Sequence, residues 1–134
     1  MAHEDTCPAE GTNSWRFGYA QTPADFAELW GQACRAAQAA AETQNAKLGN
    51  ENCRGFDCGF AWVTLPGNHA FARWTKKQGI SSKGYPTGQR IWYSKLHNVP
   101  TQSVSVHEAA ARAARDVIAH GLQSSEVGMA SRLD

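Results

Sequence analysis

Cys58-Gly59-Phe60-Ala61-Trp62-Val63-Thr64-Leu65 is the densest apolar run in the chain, and it lies close to the middle. Its side chains alternate: Phe60, Trp62 and Thr64 point one way, Ala61, Val63 and Leu65 the other. Both sets are largely apolar, which predicts a central strand covered on both faces. Pro66-Gly67 ends it, because proline cannot donate to an interior ladder.

Outward from this strand the pattern changes to helical spacings. Upstream, Thr22-Pro23-Ala24-Asp25 reads as a helix start: a capping hydroxyl, proline at the first helical position, and an acid at the positive helix end. Phe26, Leu29, Trp30, Ala33, Ala37, Ala40 and Ala41 then recur at three and four, forming one face up to Lys47, with Gly49 as a left-handed cap. The later part of that face is only alanine. It packs on its own domain or, through helix 23–47, forms a seam for a homo-oligomer.

Downstream, Asn68 caps a short helix, His69 to Gln78, with Phe71 and Trp74 inward and Gly79 at its end. Residues 81–88 read as a loop and Gln89 to Tyr93 as a second strand. Ser105-Val106-His107-Glu108 has the form of a capping box and opens a helix with Val106, Ala110, Ala113, Val117 and Ile118 on its apolar face, ended by Gly121-Leu122. Glu108 and Arg112 are spaced for an i,i+4 pair. Val127 to Leu133 is a final strand.

The alternation is that of an α/β layer, but the chain is short and has few strands, so the expected fold is α+β, a single two-layer domain of about three helices on a small sheet of three or four strands, with a parallel sheet as the alternative. Residues 1–21 form an N-terminal arm, ordered where Trp15, Phe17 and Tyr19 dock, and residues 22–134 form the domain. With 134 residues, one core is sufficient. No apolar run approaches the ~20 residues that span a bilayer, so no membrane partner is expected.

Charge gives the strongest functional signal. Residues 1–57 hold four Lys/Arg against eight acids, residues 58–107 six (Arg73, Lys76, Lys77, Lys83, Arg90, Lys95) against none, and residues 108–134 three against four. Seven aromatic residues interleave with the six cations: Phe60, Trp62, Phe71, Trp74, Tyr85, Trp92 and Tyr93. Cations neutralise phosphate and ring faces stack on bases, so this combination suits an anionic ligand, a nucleic acid or an acidic protein. The alternative is that the rings are core and the lysines a solvated surface.

The candidate ligand-binding residues are Tyr85, in a glycine- and proline-flanked loop, Arg90 and Trp92 on the second strand, Arg112 and Arg115 on the capped helix, and Arg132 on the last strand. A guanidinium gripping phosphate with two N–H groups needs a rigid mount, and a strand or helix supplies one.

No motif assigns a reaction. The chain has no G-x-x-x-x-G-K-[ST], G-x-G-x-x-G, H-E-x-x-H or G-x-S-x-G. Four cysteines, Cys7, Cys34, Cys53 and Cys58, are too few for a disulfide-dense scaffold. Cys53 and Cys58 are spaced for a disulfide, for half of a zinc site completed by His69 or His97, or for two reduced thiols. The last is preferred, because structural zinc sites show tighter paired spacings and no second pair exists. A thiol–imidazole pair of Cys58 with His69 or His97 is the only enzymatic candidate. A cysteine at the start of an apolar strand is more often inert core. A non-enzymatic role without metal or cofactor is therefore expected.

The elements Cys58-Gly59-Phe60-Ala61-Trp62-Val63, Phe71-Ala72-Arg73-Trp74, Gly84-Tyr85, Ile91-Trp92, Gln102-Ser103, Glu108-Ala109 and Ser131-Arg132-Leu133-Asp134 together resemble a family of small proteins encoded by tailed phages, over about the last 80 residues. The resemblance implies a phage origin and one compact domain, and transfers no catalytic residue. For such a protein it implies an accessory role in the host cytoplasm, such as countering host defence. The alternative is a structural virion protein, a decoration or connector.

Overall fold

The computed structural model describes residues 18–48, 58–84 and 87–133. The elements are α1 (Pro23–Lys47), β1 (Gly59–Leu65), α2 (Ala70–Lys77), β2 (Ser82–Lys83), β3 (Gln89–Trp92), a 3-10 turn (Tyr93–Lys95), α3 (Val104–Leu122) and β4 (Gly128–Leu133). The strands form one sheet in the order β2-β3-β1-β4, antiparallel throughout. Three helices pack on this four-stranded sheet, which makes the protein a small α+β domain.

Each helix start follows from local chemistry. At α1 the Thr22 hydroxyl accepts from the Asp25 N–H, and the Asp25 carboxylate accepts in return from the backbone of Thr22 and Gln21. These bonds hold the Asp25 carboxyl below its usual range. α2 begins one residue later than its spacing predicts. His69, not Asn68, is the cap, its Nδ1 accepting from the Phe71 N–H at 3.1 Å.

The predicted capping box of α3 does not form. The helix starts at Val104 behind Ser103, and Ser103 and Ser105 bond each other through their hydroxyls. Glu108 turns away from both the cap and Arg112 to accept from the Ser131 hydroxyl on β4. The helix ends at Leu122, as expected from Gly121-Leu122, and Gln123 follows in the left-handed conformation (φ 54°). The proposed Gly49 cap of α1 lies outside the described residues.

β1 is the centre of the sheet. Its ladder to β3 pairs Trp62 with Trp92 and Thr64 with Arg90, and its ladder to β4 pairs Phe60 with Arg132 and Trp62 with Ala130. The alternation predicted for β1 holds: Gly59, Ala61, Val63 and Leu65 are buried, and Phe60, Trp62 and Thr64 are half-exposed. Among the described residues, helical cover lies on one face only. α1, α2 and α3 all contribute to one core with Ala61, Val63, Leu65 and Ile91, and among the described residues no helix packs on the other face.

Within the helical layer α3 lies on the sheet and α1 packs along α3. Ala33, Ala37 and Ala41 are fully buried in that packing, so the alanine stripe proposed as a seam for a second copy is used inside the protomer. Phe26, Phe71 and Trp74 join α1 to α2. Of the arm's three rings Tyr19 is described and is exposed, while Ala20 beside it is buried and its N–H donates to the Gly121 carbonyl at 2.8 Å. Trp15 and Phe17 lie outside the described residues.

Beneath the 3-10 turn, His97 and His107 form a buried pair, Nε2 to Nδ1 at 2.9 Å, with the Tyr93 ring stacked on His107 at 3.8 Å. His97 Nδ1 accepts from the Val99 N–H, so the proton of neutral His97 sits on Nε2 and points at His107. Burial holds His97 below its ordinary value of 6.5, and burial with Arg73 lowers His69 in the same direction.

The unfolded chain therefore binds more protons than the native one in the window below 6.5. Stability is complete above that value and falls as pH drops towards the native pKa. Thermal unfolding followed from pH about 7.5 to about 5.5 should show a steady fall in Tm, and His97→Gln should flatten it.

Candidate functional site

The face of the sheet opposite the helices carries an aromatic patch framed by arginines. It is built by the period of the strands: every second residue of β1, β3 and β4 reaches it. Trp62 and Trp92 are directly opposite one another, with ring centroids 5.0 Å apart. Phe60 meets Trp92 edge-on at 6.4 Å and lies nearly parallel to Tyr93 at the same distance. The Trp92 indole N–H donates to the Ser82 hydroxyl at 3.3 Å, which fixes the ring against β2.

The Arg90 guanidinium carbon is 5.0 Å from the centroid of Trp62 and 5.6 Å from that of Trp92. Arg132, at the other end of β1, lies 5.7 Å over Phe60. A guanidinium over a ring face gains from the ring quadrupole. None of the four strands contains an acidic residue, so no carboxylate on them competes for these cations. Such a face can stack planar rings and hold oxyanions.

Of the residues predicted from sequence, Arg90, Trp92 and Arg132 come together here. Arg112 and Arg115 do not. They are on α3, in the helical layer, where Arg112 is exposed and Arg115 pairs with Asp116 at 2.7 Å. Tyr85 lies outside the described residues. Phe60 and Trp62 share this face and were not among the residues singled out, because a long apolar strand reads as core on both faces. The signal that separates them is size: the buried set of β1 is glycine, alanine, valine and leucine, while the open set carries the two large rings.

The enzymatic candidate is not supported by the thiols. Cys58 is disulfide-bonded, with its partner outside the described residues, so the preference for a reduced thiol at this position is corrected. Cys34 is free, half-buried and 3.8 Å from the Lys95 carbonyl, and burial pushes its thiol up to about 11, far from a reactive thiolate. A shallow depression beside it, between α1 and residues 94–98, is lined by Cys34, Arg35, Gln38 and His97. Among the described residues no group of three or more His, Cys, Asp or Glu could hold a metal ion. No described helix is long and apolar enough to cross a membrane.

No family model, curated protein or solved structure matches this chain.

Proposed function

We propose that the protein is a binding module whose open sheet face takes an anionic partner. One observation carries this: exposed Arg132 lies over the Phe60 ring, on a sheet face whose strands contain no acid. Rigid strands pre-organise the cations, so little side-chain entropy is lost when an oxyanion is bound. The resemblance to small tailed-phage proteins extends the proposal to a phage accessory protein that acts by sequestering its partner in the host cytoplasm, which requires no catalytic group.

The test is binding of heparin and of a mixed-sequence oligonucleotide at low salt. Arg90→Ala and Arg132→Ala should each weaken both and reduce the salt slope by about one per arginine. Arg112→Ala, in the other layer, should leave both unchanged. If neither polyanion binds at low salt, the proposal fails.

The Cys58 disulfide favours a second reading, a virion protein that works outside the reducing cytoplasm. Alkylation of free thiols in protein recovered from cells and from particles separates the two. A blocked Cys58 found only in particles supports the virion reading.

A further inference from the structure

We propose that the depression between α1 and residues 94–98 is a site for a small phosphomonoester, its phosphate held between Arg35 and Lys95 and its body laid on the neutral floor. The site shares no residue with the sheet face and does not rest on the reading above.

The depression has a volume of about 380 Å³, within the range of small-molecule sites. One wall is α1, with Cys34, Arg35 and Gln38, and the other is the 3-10 turn with the residues that follow it. Two contacts tie the walls together. The Asn98 N–H donates to Gln38 Oε1 at 3.0 Å, and the Cys34 thiol donates to the Lys95 carbonyl at 3.8 Å. The site is therefore formed before a ligand arrives, and little ordering cost is left for binding.

Its charge is one-sided. Each wall brings one cation, Arg35 from α1 and Lys95 from the turn, and none of the residues lining the depression is acidic. Both cations are exposed, and no described residue forms an ion pair with either. The neighbouring groups do not offset them. Burial pushes the Cys34 thiol up to about 11, so it stays neutral, and the Arg35 charge acts on it in the opposite direction. Both ring nitrogens of His97 are occupied, by His107 and by the Val99 N–H. The Glu42 carboxylate, one turn along α1, accepts from the Gln38 amide at 2.9 Å.

These features choose the ligand. Arg35 presents a planar fork and Lys95 a compact charge, a pair suited to a phosphate with three terminal oxygens. Ser94, exposed on the same wall as Lys95, adds a hydroxyl donor. Most of the surface between the cations is apolar, so a phosphate that carries a ring gains over the bare ion.

The experiment is calorimetric titration of the whole chain with phenyl phosphate, inorganic phosphate and benzoate at low salt. Phenyl phosphate should bind with a Kd of about 1 mM or tighter, and about fivefold or more tighter than inorganic phosphate or benzoate. Arg35→Ala and Lys95→Ala should each weaken it about fivefold or more, and Arg35→Lys should restore only part of that loss. Both side chains are exposed, so folding, followed by circular dichroism, should be unchanged. Lys77→Ala, the same charge change on α2, and Arg132→Ala, on the sheet face, should leave phenyl phosphate binding as it was.

No saturable binding below roughly 20 mM would overturn the proposal. So would an equal loss in Lys77→Ala, or no loss in Arg35→Ala and Lys95→Ala. Benzoate binding as tightly as phenyl phosphate would overturn the assignment to a phosphate, and inorganic phosphate doing so would overturn the apolar floor. Loss in Arg132→Ala alone would move the phosphate to the sheet face, overturning this site while supporting the reading above.

Discussion

Phe71→Ala should lower the stability of the fold by about 3–5 kcal/mol, measured as a shift of the urea midpoint with little change in slope. Phe71 is 0% exposed. Its ring lies edge-on to Phe26 of α1 at 5.4 Å and nearly parallel to Trp74 at 5.8 Å, so one side chain closes the joint between two helices. α2 has only eight residues and buries little else beyond Ala72 and Thr75. An isolated helix of that length does not persist in water, so α2 depends on this anchor. Phe71→Leu keeps most of the volume and should cost far less, about 1.5 kcal/mol or under. Because the joint is in the helical layer, the folded fraction of either variant should bind polyanions normally. A loss below about 1 kcal/mol for the alanine variant would show that the ring is not core.

The second large effect is at the α1–α3 seam. A Cβ on Gly121 would come within 2.4 Å of Leu29 Cδ1 and 3.1 Å of Leu29 Cδ2. Leu29 is itself 0% exposed and cannot swing into water. Gly121→Val should therefore destabilise by about 1–3 kcal/mol through overpacking, and Leu29→Ala by about 2–5 kcal/mol through the cavity it leaves. The double variant should cost clearly less than their sum, by about 1 kcal/mol or more, because the added valine occupies the space vacated by leucine. Simple additivity in urea unfolding would mean that the two residues do not touch. The alanines Ala33, Ala37 and Ala41 carry the same close approach along α1.

These two sites show what was legible in the sequence. The start of α1, the alternation of β1 and the extent of α3 were readable because local rules and tertiary packing agree there. Thr22 and Asp25 close the predicted cap, and the β1 residues predicted to share a face do so. The end of α3 at Gly121-Leu122 was readable, but the close approach of Leu29 to Gly121 was not, since spacing within one helix carries no trace of a neighbour on another. The Ser105–Glu108 box failed for a related reason. Its carboxylate is taken by Ser131, 23 residues away, and local spacing carries no trace of that partner.

The two-residue strand β2 was missed because Ser82-Lys83 is too short to show a period. For the candidate site, the arginines on strands were placed by the register of the sheet. Arg112 and Arg115 were misplaced because a rigid mount says nothing of which layer holds it. The open face of β1 was invisible for a physical reason: large rings on a strand normally signal burial.

The strand order also governs when the molecule can form. β4 is the last element, yet it pairs through six positions with β1, from Gly59↔Leu133 to Thr64↔Gly128. During synthesis, β1 leaves the ribosome about 70 residues before its neighbour does, and at ordinary elongation rates waits for seconds with that edge unsatisfied. Over that interval Phe60 and Trp62 stand on an incomplete sheet with an open edge, the arrangement most prone to pairing with another nascent chain. The acid-free, cationic segment that contains them carries like charge, and copies of it repel one another. That charge keeps unfinished chains apart.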